Sequence, residues 1–181
     1  MPGGLAAVRA GLPTPALRDF AGQSFLAASW YDAMPMPELD AVAAKLCGRE
    51  FNRFVRESAR VQAAGEFRGV YRAFLTLLAP ATVATYLPRL SAQYYDFGEV
   101  RVRRASPHSV DVVRAGLPRA LVGYLTLVGE PYLATALELS GARCVRFVNQ
   151  EPQPDGARAG YALVRMNVAV SWEQGAAVRT T

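Results

Sequence analysis

Few side chains in this sequence are equipped for bond-making chemistry, and their spacing restricts them further. His108 is the single histidine, so any triad, dyad or metal cluster built on imidazole has to use it. It lies in Ser106-Pro107-His108-Ser109 between two alternating segments. A solvent-facing turn residue and a general base are both open readings there, and Ser106 and Ser109 are too near in sequence to be distinctive partners. Cys47 and Cys144 are the only cysteines. They are far apart and have no short-spaced partners, so they suit a reducing compartment better than a disulfide framework, and buried free thiols are expected. Zinc needs several converging ligands, and neither CxxC nor HExxH occurs.

Asp32 and Asp96 each follow an aromatic pair, Trp30-Tyr31 and Tyr94-Tyr95. Two carboxylates can share acid and base work if they meet, but turn-forming roles explain both more simply. No Walker-type loop, no GxGxxG between a strand and a helix, and no GxSxG elbow is present. The expectation is therefore a chain without metal or cofactor that binds rather than catalyses, with an enzyme using His108 as the weaker alternative. Amphipathic rings are the one functional concentration: Trp30, Tyr31, Tyr71, Tyr86, Tyr94, Tyr95, Phe97 and Tyr124. Such rings can line an apolar pocket while their polar ends orient a ligand, or they can simply fill a core.

The elements that must carry these residues follow from periodicity. Residues 1–23 read as a loose tail rich in Gly and Pro, with a short helix inside it from Thr14 to Phe20 capped by Thr14. Gln23 to Tyr31 reads as a strand or buried approach segment. Pro35 and Pro37 suit a first helical turn, Lys45 the last, and Gly48 a left-handed stop; Leu39, Val42, Ala43 and Leu46 form the predicted inner stripe. A second helix from Arg49 to about Val61 turns Phe51, Phe54 and Val55 inward. Its basic stripe, Arg49, Arg53, Arg56 and Arg60, is the best electropositive feature, read as a solvated face partly paired through Arg53 and Glu57, with an anion-binding surface as the alternative.

Phe67, Val70, Tyr71, Phe74, Leu75 and Leu78 recur at helical spacing and predict a third, core helix over Glu66 to Leu78. Pro80 opens a fourth, kinked at Pro88. From Glu99 the period becomes two, predicting a hairpin whose inner residues include Val100, Val102, Val110 and Val112. Leu117 to Leu139 reads as a long helix kinked or divided at Gly129-Glu130-Pro131. A second hairpin, Arg143 to Asn149 and Gly160 to Trp172, is joined by the polar loop 150–159. In its last strand Ala162, Val164, Met166, Val168, Val170 and Trp172 alternate with polar residues, so one face of a sheet must be covered.

The fold class is thus α+β: a helical N-terminal half packed on a small antiparallel sheet of two hairpins, with a long kinked helix between them. The expected organisation is a flexible tail over 1–23, a single domain over 24–173 and a C-terminal tail over 174–181. A chain of 181 residues with 51% hydrophobic composition can bury a substantial core. Its formal charge is +5, but the charges are dispersed and Lys45 is the only lysine, so nucleic acid is not an expected partner. No uninterrupted apolar run reaches the roughly 18 residues of a membrane span, and no secretory signal is read at the start, so the expected location is cytoplasmic.

Four segments, Ser29-Trp30-Tyr31, Phe67-Arg68-Gly69-Val70-Tyr71-Arg72, Tyr94-Tyr95-Asp96-Phe97-Gly98 and Ala136-Leu137-Glu138-Leu139-Ser140-Gly141-Ala142, together resemble a family of paralogous myxobacterial proteins. Their arrangement is similar to the superfamily of 4-vinyl-reductase-like domains, heme nitric-oxide-binding-like sensors and transport-particle subunits. That resemblance implies a ligand-binding sensor or adaptor in signalling, taking a small apolar or aromatic molecule and a protein partner. A dimerising scaffold, with self as partner in a homodimer, is the alternative. The heme-binding members' helical histidine and Tyr-x-Ser-x-Arg group, and the phenol-sensing members' zinc cysteines, have no counterpart in these residues.

Overall fold

The computed structural model describes residues 3–26 and 29–174, with Val70 and Tyr71 described by backbone alone. The chain divides into two compact units, Met1–Ser58 and Ala59–Thr181.

The first unit begins with a helix where a loose tail was expected, followed by the short helix expected after Thr14. α1 (Gly4–Gly11) places Val8 in the interior, with Leu12 buried one turn on; this i, i+4 pair gives the glycine-rich segment a face to bury. At Gly11 a Cβ would lie 2.7 Å from the Val42 side chain, so the close approach of α1 to α3 needs glycine there. α2 (Pro15–Gly22) starts as its sequence dictates: the Thr14 hydroxyl accepts from the Leu17 N–H at 3.2 Å, and proline occupies the first turn. Arg9 and Arg18 tie the α1–α2 corner by donating to the carbonyls of Arg18 and Leu12.

The segment after α2 is not a strand. Phe25, Leu26 and Trp30 are exposed, and residues 27 and 28 lie outside the described residues. Asp32 accepts from the Met34 N–H at 2.9 Å, the turn role expected of it. α3 (Met36–Leu46) closes at Gly48 with φ +63. Of its expected stripe Ala43 is buried, Leu39 and Val42 are half-buried and Leu46 is exposed, while Ala44 is buried in addition. α4 (Phe51–Glu66) carries the chain into the second unit and is a turn longer than expected, because Gln62-Ala63-Ala64-Gly65 continues the helix.

In the second unit the predicted third helix is shortened. Residues 67–69 break it, Gly69 takes φ +57, and α5 covers Val70–Leu77. Phe67 and Leu75 are buried as expected, whereas Phe74 is exposed. Pro88 produces a full break: α6 (Pro80–Thr85) ends at Tyr86 and α7 (Leu87–Tyr94) restarts with the proline in its first turn.

The sheet is antiparallel, in the order β1 (Glu99–Ser106), β2 (Ser109–Pro118), β5 (Tyr161–Gln174), β3 (Ala142–Asn149). β4 (Gln153–Arg158) lies within the stretch expected as a polar loop. It pairs with the first half of β5, and β3 with the second half, so both supply hydrogen bonds to the same edge of one 14-residue strand. Along β5, Val164, Met166, Val168, Val170 and Trp172 are all buried, and only Ala162 at the strand's start is exposed. Cys144 is exposed, contrary to expectation. It sits at φ +50 in a bulge between Arg143 and Arg146 that turns it out of the core.

A 3-10 turn (Arg119–Leu121) leads into α8 (Val122–Leu139), which is not divided at Pro131. Residues 119–139 are long and apolar enough to cross a bilayer by length and composition. Leu125, Leu133 and Leu137 of this helix are buried in the protein's own interior, and α8 packs against β3, α5 and α6. A core helix of this kind meets the same test.

Candidate ligand cavity

The helices α7 and α8 leave a cavity of about 160 Å³ over the covered face of the sheet. Its floor is apolar, built by Val112 of β2, Phe147 of β3 and Met166, Val168 and Val170 of β5. Its walls are Leu87, Leu90, Tyr94 and Tyr95 from α7 and its end, and Thr126, Val128, Gly129, Tyr132 and Leu133 from α8. Strand alternation delivers the floor and helical periodicity the walls.

Two polar groupings interrupt this lining. The first is Tyr94, Tyr132 and Gln62, which hold the carboxylate of Glu66, itself outside the lining. Glu66, the last residue of α4, accepts through Oε2 from Tyr132 at 2.5 Å and from Tyr94, and through Oε1 from Gln62 at 2.8 Å; the two phenol oxygens are 3.1 Å apart. Burial opposes the charge on Glu66, but the hydrogen bonds from Tyr132, Tyr94 and Gln62 outweigh it and hold its pKa below the ordinary glutamate value. The Tyr132 phenol is pushed far up, by burial first and by its bond to Glu66 next. Tyr132 packs edge-on with Phe67 at 5.0 Å and with Tyr94 at 6.0 Å between ring centroids, so the clamp is embedded in an aromatic cluster.

The second grouping is Arg114. Val110, Val112 and Arg114 occupy alternate positions of β2, so the pleat that buries the valines sends Arg114 to the same face. Its cross-strand partners are Val100 and Met166, and both also line the cavity. Beyond Arg114 the register with β5 slips before Leu117. In that bulge Gly116 takes φ +65 and donates its N–H to Asp155 Oδ2 at 2.8 Å. Among the described residues the guanidinium forms no ion pair or hydrogen bond, yet no buried side-chain nitrogen or oxygen there lacks a partner. Its N–H groups therefore open onto the cavity space. Burial lowers the Arg114 pKa, opposed by the neighbouring Tyr95, and burial also pushes the Tyr95 phenol up.

Of the aromatic residues singled out in the sequence, Tyr94 and Tyr95 line the cavity. Phe97 backs Tyr95 at 5.3 Å between ring centroids, and Tyr86 packs edge-on against Phe74 with Arg89 over its face. Tyr124 is partly buried on α8, and the side chain of Tyr71 lies outside the described residues. Trp30 and Tyr31 belong to the first unit, where Trp30 is 61% exposed and the Tyr31 hydroxyl accepts from the Leu26 N–H at 2.6 Å. Glu57 draws in both Arg49 and Arg53, the latter at 2.8 Å, and Arg56 also has a partner. Arg60 is exposed further along α4. His108 is exposed in the β1–β2 turn, away from the cavity lining.

Tyr132, Glu66 and Arg114 are absent from the sequence-based candidates. Only Arg114 had a signal: extending the Val110, Val112 alternation by one step puts a charge on the covered face. Glu66 and Tyr132 are 66 positions apart, and no local pattern announces their meeting.

This arrangement of helices and sheet is that of the H-NOX domains. Solved structures similar to the chain include an oxygen-binding H-NOX domain related to soluble guanylate cyclases, at 10% identity and TM-score 0.63, covering 95% of this chain and 87% of that one. An H-NOX structure from a study of heme distortion matches at 10% identity and TM-score 0.63, over 98% and 90% of the two chains. A mutant form of T. Tengcongensis H-NOX matches at 10% identity and TM-score 0.62, over 95% and 90%. These likenesses establish the fold. Neither a family model nor a curated protein matches the chain.

Because heme is named for one of those structures, its fit can be tested on these residues. Heme iron is held axially by His, Cys, Tyr, or Met with His. His108 and Cys144 are exposed and outside the lining, and Cys47 lies in the first unit. Tyr94 and Tyr132 are committed to Glu66, and the burial that raises Tyr95 opposes the phenolate an iron ligand requires. At about 160 Å³ the cavity is also below the ~300–1,000 Å³ of drug-sized pockets. The residues present do not fit heme.

Proposed function

We propose that this chain is a non-catalytic sensor or adaptor domain of the cytoplasm, which binds a small apolar or aromatic molecule in the cavity between α7, α8 and the sheet and signals to a protein partner. The cavity carries the reading. It is apolar over most of its lining, has a few convergent polar groups, and is of the size that holds one benzene ring, since an apolar cavity of roughly 150 Å³ binds benzene. The H-NOX structures that share the fold include one described as oxygen-binding, which is consistent with a small guest in such a site. Tyr94 and Tyr132 form part of the wall, so a guest that moves either ring perturbs the Glu66 clamp and, through it, the end of α4. That connection is the proposed route from ligand to partner surface.

Native mass spectrometry of protein purified from its own host tests the reading. A reproducible added mass of a small organic molecule, released on denaturation, is expected. A protein that is repeatedly empty, and whose melting temperature no small aromatic or aliphatic compound raises, overturns it.

A further inference from the structure

The Arg114 guanidinium faces the cavity from the covered side of the sheet. A guanidinium stays ionised under all ordinary conditions, and an ionised group on an apolar face is costly unless it is paired. Here burial lowers its pKa, and among the described residues no carboxylate pairs with it. A neutral apolar guest filling the cavity would strip solvent from the guanidinium and return no acceptor. A guest carrying an anion would replace the lost solvent with two parallel charge-assisted hydrogen bonds.

We propose that the cavity takes a compact apolar carboxylate of about one aromatic ring, with its carboxylate on the Arg114 guanidinium and its apolar body on Val112, Phe147, Met166 and Val168. This rests on the reading of the cavity as the ligand site and adds the charge and shape of the guest. Size limits the body: the volume of about 160 Å³ admits one ring. Charge limits the head. One guanidinium balances one negative charge, and Glu130, already held by Asn149 at 2.6 Å on the cavity wall, disfavours a dianion such as a phosphate monoester. The backbone supports the position, since a Cβ at Gly129 would be 3.6 Å from Arg114 Nη1. Glycine on α8 thus keeps the space beside the guanidinium open.

Calorimetric titration of the full chain with toluene, benzoate and phenyl phosphate, on wild type and Arg114→Met, tests the proposal. Wild type is expected to bind benzoate at least about tenfold more tightly than toluene, and phenyl phosphate more weakly than benzoate. Arg114→Met is expected to lose about ten- to a hundredfold in benzoate affinity, the value of a hydrogen bond to a charged group, and to keep its toluene affinity. Toluene binding without a benzoate preference, or a benzoate affinity unchanged in the variant, overturns the carboxylate assignment and leaves the cavity reading standing. Failure of all three compounds to bind wild type overturns both. Should Arg114→Met not fold, as judged by circular dichroism, the order of the three affinities on wild type decides alone.

Discussion

Replacing Glu66 with Gln isolates the phenol clamp, because the change preserves shape and one carbonyl acceptor while removing the charge. In the folded protein the Glu66 carboxylate receives Tyr132 at 2.5 Å, Tyr94, and Gln62 at 2.8 Å. Hydrogen bonds to charged groups contribute about 1.5–3 kcal/mol each in favourable settings. Glu66 is only partly buried, so solvent screening reduces the combined effect to about 1–2 kcal/mol. For a chain of this length that corresponds to a fall of roughly 2–8 °C in melting temperature.

The pH dependence follows from the direction of the shift. The folded protein holds the Glu66 pKa below its ordinary value, so the stabilisation is fully present above the unfolded-state pKa. It is lost as the pH falls below the ordinary glutamate range and through the lowered folded value. Chemical denaturation of wild type and Glu66→Gln across pH 3 to 8 should show a constant gap from pH 6 upward that closes on acidification. Equal stability at pH 7, or a gap that persists undiminished at pH 3, would refute the reasoning that charge-assisted bonds hold α4 to α7 and α8.

Leu137 on α8 has no exposed surface, so Leu137→Ala should cost about 2–5 kcal/mol in urea unfolding, through lost transfer energy and a residual void. Gly129→Ala should instead raise stability by about 1 kcal/mol, because alanine is the better helix former and its methyl meets Arg114 at ordinary van der Waals distance. The same methyl narrows the space beside the guanidinium, so benzoate affinity should fall as stability rises. His108→Ala, in an exposed turn, should change stability by no more than about 0.5 kcal/mol and leave ligand binding and biological function intact; loss of function would restore the histidine enzyme as a candidate.

The fold was legible in the sequence wherever one physical constraint acted alone. The alternation along β5 and the cap at Thr14 are dictated by side-chain period and a single hydroxyl and both appear in the structure, while the missing amide of Pro88, expected to kink one helix, divides it into two. The readings diverged where tertiary context decided. Gly3, Gly4, Gly11 and Pro13 look like a tail, but the burial of Val8 and Leu12 makes residues 4–11 a helix. Gln153-Pro154-Asp155-Gly156-Ala157-Arg158 has no strand pattern, and it is a strand because the first half of β5 needs an edge partner. Phe67 to Leu78 has an unbroken helical period, yet α4 ends at Glu66 and α5 begins only after Gly69 at φ +57.

The site divided along the same line. Tyr94 and Tyr95 were legible as amphipathic rings beside a predicted turn, and they line the cavity. The Glu66 clamp depends on three helices meeting, and composition and period carry no record of such a meeting. Arg114 lies between these cases: its alternation with Val110 and Val112 was readable, but a charged residue normally ends a predicted apolar run.

The most direct measurement uses Met166, the only methionine in residues 59–181 and part of the cavity floor. With methionine methyls labelled with carbon-13, titration with toluene should move the Met166 resonance saturably, as one ring settles against the sheet. If all four methionine methyl signals stay unmoved up to the solubility of toluene, the cavity does not admit a guest and the proposed binding function fails.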